Sequence, residues 1–389
     1  MKKIFIILDI MSTGNIPDVR DYLSKFSNPE YEITMVNHYF EHEMYAMGDF
    51  DHRFAIIDFP YITSRGILPQ FETEIKLRTK KLHSLGFNIV FQDLWEAVEH
   101  TQNPSWAKGQ TALGTNTTRT WGGIDYLLKD TGVSHYHILS ASRTYFWQLM
   151  LNNYTKSWNA GLNHTEKPYD FFFLNKKPRH YRKYLYDLCI NNGSLSNSLY
   201  TIWEKHRRIQ LLDQYELPGY AKKYPDTGKD QQIYALPYEH TKISLVSETA
   251  TNSPCSINGA RSNPLKIMFM TEKIWKPILC THPFIVFGQE NFLIELKKMG
   301  FKTFDSVWDE SYDTETDGYA RAEKIAQLAL SLQGCDAKKL YEDTKEIRAH
   351  NLKIFFNEEK LSQLITEDIT NALFNAEYPV SMNATAQIF

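Results

Sequence analysis

The segment Thr271-Glu272-Lys273 sets a hydroxyl, a carboxylate and an ammonium group side by side, just ahead of an apolar helical pattern. Thr271 can cap a helix starting at Glu272, so Glu272 and Lys273 fall in its first turn. Side chains in that turn reach over the helix end. An ammonium group there opposes the helix dipole and calls for an acidic partner. A phosphate would supply one, and so would a surface ion pair; both readings are open. A second group, Lys176, Lys177, Arg179 and Arg182, follows an apolar run and opens another helical pattern. Cations beside a helix N-terminus suit a diphosphate, although a solvated basic turn has the same composition. The third group consists of carboxylates. Asp9, Asp58 and Asp93 each stand at or near the end of an apolar run. Each has the chemistry of a general base for a hydroxyl, and equally that of a helix cap.

Other patterns carry less. Asp49-Phe50-Asp51 has the spacing of a carboxylate pair that holds a divalent ion on a diphosphate, but it follows Gly48 in a polar, turn-like stretch. His135 and His137 share one face of an expected strand, yet no Cys or further His follows at metal-ligand spacing. The acidic run 309–317 reads as a solvated loop. No nucleophile elbow, P-loop or GxGxxG is present. The expectation is therefore no metal.

These groups need elements to hold them. Short runs rich in Ile, Val and Phe at 4–8, 33–36, 54–57, 88–91 and 136–139 suit buried strands. Helical spacing over 68–85 ends at Gly86. The plan repeats with strands expected at 171–174, 243–246, 283–287 and 301–304. Helices are expected at 179–190, 272–279, 292–299, 319–332 and 337–364. Strands alternating with helices predict parallel, doubly wound sheets. Ligands then bind outside the carboxyl ends of the strands. In the first half this rule selects Asp9, Asp58, Asp93, Ser140 and Arg143; in the second it selects 175–182, 247–251, 288–291 and Asp305. The expected architecture is α/β, with two Rossmann-like domains facing a central cleft. An N-terminal domain would cover 1–165 and a C-terminal one 166–340. Helices in 341–389 would pack back on the first domain.

Composition permits this and excludes other classes. A chain of 389 residues can bury two cores. With 18 Gly and 15 Pro it is not collagen-like or a low-complexity linker. The net charge of −3 excludes a uniformly basic nucleic-acid coat. It averages over unlike parts, since residues 166–223 hold 11 Lys and Arg against 6 Asp and Glu. Aromatic residues reach 14%, enough to line a pocket as well as fill cores. Cys189, Cys255, Cys280 and Cys335 have no disulfide or zinc spacing, which fits reduced thiols and a cytoplasmic location. The apolar run after Met1 is stopped by Asp9, so a first strand is expected rather than a signal or a membrane span.

Within 243–288, three features resemble the donor-binding signature of the fucosyltransferase-like glycosyltransferases. They are the run ending in Ser247-Glu248, the Thr271-Glu272-Lys273 helix, and Pro283-Phe284-Ile285-Val286-Phe287-Gly288. The resemblance extends over about a third of the chain, roughly 170–304. It implies a GT-B fold and a nucleotide-diphosphate sugar held by the C-terminal domain, with no required metal or other cofactor. It further implies that Glu272 meets the nucleotide ribose, Lys273 the phosphates, and Arg179 or Arg182 the diphosphate. The donor-side set is then Lys176, Arg179, Arg182, Ser247, Glu248, Thr271, Glu272 and Lys273. The chain departs from the pattern in two places. Residues 251–267 lengthen the approach to the helix, and Thr249 stands where the family commonly has Asn. The resemblance therefore does not fix the sugar as fucose.

Gly300-Phe301-Lys302-Thr303-Phe304 and the acidic stretch after it look like glycosyltransferases of large tailed bacteriophages. That likeness implies a 5-hydroxymethylated pyrimidine in double-stranded viral DNA as acceptor, flipped out and stacked on aromatic rings, in the host cytoplasm. The alternative acceptor is a surface polysaccharide or a lipid-linked glycan. The alternative of another class is a non-catalytic nucleotide-binding protein. The mechanism expected of the enzyme has two parts. Lys273, with Arg179 or Arg182, stabilises the leaving diphosphate. One of Asp9, Asp58 and Asp93 deprotonates the acceptor hydroxyl.

Overall fold

The computed structural model describes residues 1–9, 16–36, 49–58, 69–92, 128, 131–139, 141–156, 158, 162, 167–175, 180–204, 207–210, 233, 235–248, 268–374 and 380–381. The chain divides into two compact units. The first comprises Met1–Tyr145, Asn263–Ile267 and Ser362–Phe389; the second comprises Phe146–Ser262 and Met268–Leu361. Both are α/β and Rossmann-like.

The first unit is built on β1 (Lys2–Asp9), β2 (Tyr31–Val36), β3 (His52–Asp58), β4 (Asn88–Gln92) and β5 (His135–Leu139). These five pair in parallel in the order β2-β1-β3-β4-β5. Parallel strands covered on both faces need continuous apolar runs, and Ile4, Phe5, Ile6 and Ile7 are fully buried in the middle of the sheet. Helix Pro69–Ser84 joins β3 to β4 and ends at Gly86, whose φ of +83° is the left-handed turn a glycine adopts without strain. The far end of helix Glu358–Phe374 also belongs to this unit. Phe374 stacks on Tyr31 at 4.8 Å. Asp368 accepts from Arg143 Nη2 at 2.5 Å and from Thr144 Oγ1 at 2.6 Å.

In the second unit β6 (Tyr169–Leu174), β7 (Leu199–Glu204), β8 (Arg207–Gln210), β9 (Thr241–Ser247) and β10 (Phe284–Phe287) form a sheet ordered β10-β9-β6-β7-β8. All neighbours are parallel except β7 and β8. Helix His180–Asn191 follows β6 and lies along Gly318–Leu332, where Tyr184 meets Tyr319 edge-on at 4.8 Å. Helix Glu272–Leu279 packs on Lys345–Phe355. Trp275, Trp147, Phe301 and Phe355 fill that contact, and Trp147 Nε1 donates to Phe355 O at 2.8 Å.

Three expectations differ from the structure. The stretch 301–304 is not a strand, because the side-chain amide of Asn351 takes the place of a neighbouring strand. It accepts from Lys302 N at 2.7 Å and donates to Lys302 O at 2.9 Å. The long helical pattern 337–364 is three helices, Ala337–Asp343, Lys345–Phe355 and Glu358–Phe374, with Thr344 closing the first and preceding the second. The strands β7, β8 and a two-residue β11 (Val380–Ser381), antiparallel to β5, were not expected. No helix among the described residues is long and apolar enough to cross a membrane.

Candidate functional site

In a doubly wound sheet the crevice opens where strand order reverses. In the second unit β6 connects outward to β7 on one side, and β9 lies on its other side. The carboxyl ends of β6 and β9, Asn175 and Ser247-Glu248, therefore flank the switch point. Thr271-Glu272-Lys273 opens the helix that follows β9.

Every polar atom of Glu248 is engaged. Its N–H donates to Phe287 O at 2.9 Å. Its carbonyl accepts from Arg182 Nε and Nη2 at 3.3 and 3.2 Å and from the Tyr181 hydroxyl at 3.1 Å. Its carboxyl accepts from Thr271 N at 3.1 Å and from Thr271 Oγ1 at 2.7 Å. Thr271 does cap the helix, as its residue type suggested. Its hydroxyl also accepts from Lys273 Nζ at 2.8 Å, and the same ammonium group donates to Glu272 Oε1 at 2.9 Å. A continuous chain of hydrogen bonds thus runs from Arg182 through Glu248 and Thr271 to Lys273. Lys273 is the half-buried end of it, with a quarter of its side chain exposed.

The charges are tuned by this arrangement. Burial pushes the Glu248 carboxyl up, against the pull of Lys273 and the two bonds from Thr271. Burial also works to raise Glu272. The Lys273 and Lys276 ammonium groups and its hydrogen bonds outweigh that and hold it below the ordinary carboxylate range. The cluster can hold one anionic carboxylate beside an ammonium group at a helix N-terminus, at the carboxyl edge of the sheet. That is the composition of an anion site with a neighbouring hydroxyl acceptor.

The expected donor-side residues divide as follows. Ser247, Glu248, Thr271, Glu272 and Lys273 come together. Arg182 joins them by gripping the Glu248 backbone, which makes it a residue that positions Glu248. Lys176 and Arg179 lie outside the described residues. In the first unit β1 and β3 flank that sheet's own switch point, and Asp9 and Asp58 are their last residues. Asp93 lies outside the described residues. Arg143 is paired with Asp368. Asp51 of the DxD accepts from Lys3 N at 2.6 Å, at the opening end of β1 and away from the carboxyl edge. Among the described residues no group of three or more His, Cys, Asp or Glu side chains is arranged to hold a metal ion. Within the acidic run, Asp313 accepts from Leu293 N and Ile294 N and Asp317 caps Gly318–Leu332.

Sequence reasoning missed Arg321. It is fully buried and donates to Gly288 O at 2.7 Å and, by two nitrogens, to Glu315 O. It holds the turn that follows β10. Its position inside helix Gly318–Leu332 gives no sequence signal, because an arginine on a helix reads as surface. Gln289 acts beside it, its Oε1 accepting from Phe269 N at 2.5 Å and tying down the approach to Thr271.

No protein-family model matches the chain, and no curated protein matches it.

Proposed function

We propose that the protein is a glycosyltransferase whose second unit binds a nucleotide-diphosphate sugar. The observation that carries this is the Glu248–Thr271–Lys273 chain at the switch point of the sheet. It sets an ammonium group, on a capped helix N-terminus, beside the carboxyl ends of β6 and β9, the part of the sheet at which such folds bind nucleotides. Lys273 would neutralise the charge that develops on the leaving diphosphate. Glu272, held ionised, would accept hydrogen bonds from ribose hydroxyls. Arg179 remains the second candidate cation of the donor set. Asp9, Asp58 and Asp93 are the proposed bases, and the switch-point position of Asp9 and Asp58 supports the first two. The finer reading is a GT-B enzyme with a central cleft and a bracing C-terminal helix, acting on a 5-hydroxymethylated pyrimidine in phage DNA.

The test is direct. Purified protein is screened by thermal shift against nucleoside diphosphates and their sugar conjugates. Hydrolysis and transfer are then assayed with hydroxymethylated DNA and with saccharide acceptors. Lys273→Ala is expected to abolish both hydrolysis and transfer. Unchanged turnover in that variant, or the absence of a shift with every nucleotide, refutes the reading. Binding without hydrolysis or transfer would mark a nucleotide-binding protein instead.

A further inference from the structure

Two side chains at the switch point have polar atoms that nothing among the described residues satisfies. Asn175 and Ser247 are each 2% exposed. Among the described residues, Asn175 Oδ1, Asn175 Nδ2 and Ser247 Oγ have no hydrogen-bond partner. Buried polar groups are nearly always paired, and an orphaned one is destabilising. Three such atoms cluster at one place. In the parallel register Phe172 lies opposite Ser244, so the third residue beyond each brings Asn175 opposite Ser247. Register partners on neighbouring parallel strands share a face and lie about 4.8 Å apart. One ligand atom seated between them is within reach of both. The backbone of each is fixed: Asn175 N and O bond Thr201, and Ser247 pairs with Phe287 on β10.

The chemistry of the pair selects the group. Both side chains are uncharged. An amide offers a donor and an acceptor together, and a phosphate oxygen would leave Asn175 Oδ1 unpaired. A hydroxyl both donates and accepts. It would satisfy Asn175 Oδ1 with its proton while its oxygen accepts from Ser247 or Asn175 Nδ2.

We propose that Asn175 and Ser247 form a neutral subsite that binds a hydroxyl of the donor, beside the charged end of the site at Lys273. This rests on the donor reading above. The hydroxyl can come from the ribose or from the transferred sugar.

The test uses the full chain with Ser247→Ala and Asn175→Leu. Binding is measured by calorimetry with UDP, GDP, their sugar conjugates, a 2′-deoxy diphosphate and inorganic diphosphate. Both variants are expected to melt no lower than the wild type, because replacing an unpaired buried polar group by an apolar one removes a penalty. Both are expected to bind the nucleotide sugar roughly 5- to 30-fold more weakly. A loss seen with the sugar conjugate alone assigns the hydroxyl to the transferred sugar; a loss shared with the ribonucleotide but not the deoxy form assigns it to the ribose. Unchanged affinity, or a loss that extends to inorganic diphosphate, overturns the subsite and leaves the donor reading standing. A wild type that binds no nucleotide overturns both.

Discussion

Thr271→Val removes one hydroxyl and preserves the side-chain shape, so it isolates what that hydroxyl does. Three bonds are lost. Thr271 Oγ1 no longer donates to Glu248 Oε2 (2.7 Å), no longer accepts from Lys273 Nζ (2.8 Å), and no longer caps the helix. Loss of a cap costs roughly 1 kcal/mol. A hydrogen bond to a charged or buried carboxyl is worth about 1.5–3 kcal/mol when its loss leaves the partner unsatisfied. Glu248 is fully buried, so the loss falls on a carboxyl oxygen shielded from water, while the bond from Thr271 N remains. The bond from Lys273 adds little, since that side chain is partly exposed and retains Glu272. The expected loss is therefore about 2–4 kcal/mol of stability in the second unit. It is read as a lower urea midpoint by far-UV circular dichroism. Thr271→Ser keeps the hydroxyl and is expected to lose less than about 1 kcal/mol. A double-mutant cycle with Glu248→Gln is expected to be strongly non-additive, because the two side chains share one bond. Nucleotide affinity in Thr271→Val should fall less than in Lys273→Ala, since the ammonium group itself survives. A Thr271→Val unfolding free energy within about 0.5 kcal/mol of wild type would refute the connected chain on which the site is built.

The same geometry fixes other outcomes. Arg321→Met removes the donors from the buried Gly288 carbonyl and the part-buried Glu315 carbonyl, so a loss of about 1–3 kcal/mol is expected in denaturant titration; a loss under about 0.5 kcal/mol would show that these bonds hold nothing in place. At Gly288 an added Cβ would lie 2.5 Å from the Phe292 ring. Gly288→Ala should therefore cost roughly 1–3 kcal/mol, and Phe292→Leu in the same chain should recover part of it; equal stability of single and double variants contradicts the clash. Burial pushes the Glu310 carboxyl up to about 7 from an ordinary 4.5. A raised carboxyl favours the folded state most where it is neutral in both states, below about 4.5; stability is lost as pH rises from about 4.5 to about 7 and levels off above that, where both states are ionised. Glu310→Gln should then gain on wild type by on the order of 2 kcal/mol between pH 5 and pH 8, and a constant difference across that range would exclude a titrating Glu310.

The elements that sequence reading found are those where one signal suffices. The runs 4–8, 54–57 and 88–91 lie inside β1, β3 and β4, because a central parallel strand is apolar on both faces. Helix Glu272–Leu279 starts where Thr271 says it should. β8 escaped because Arg207 and Arg208 leave no apolar run at the sheet's antiparallel edge, whereas Leu199-Tyr200-Thr201-Ile202-Trp203 of β7 has the composition of a strand and was legible. The 301–304 stretch misled for the opposite reason. Its residues suit a strand, but the backbone partner is the Asn351 side chain, some fifty positions away. At the site, the chemical groups were legible but their roles were not. Arg182 looked like a diphosphate ligand by type, and only its hydrogen bonds show that it serves the Glu248 carbonyl. Nothing in a sequence tells an engaged guanidinium from one held for a ligand.

The long spacing between Glu248 and Thr271 makes the same point about geometry. Taken as a pattern, residues 249–267 separate two halves of a motif and weaken it. In the fold both ends of that interval are anchored to each other and to the sheet. Glu248 is held at its N–H, carbonyl and carboxyl. Where the chain returns, Phe269 N is held by Gln289 and Thr271 by Glu248 itself. Whatever joins two points already bonded together, the entropy of closing the interval grows only with the logarithm of its length. Inserting residues there changes the sequence spacing greatly and the position of Lys273 very little. The site is specified by the bonds that close the interval and not by the number of residues within it.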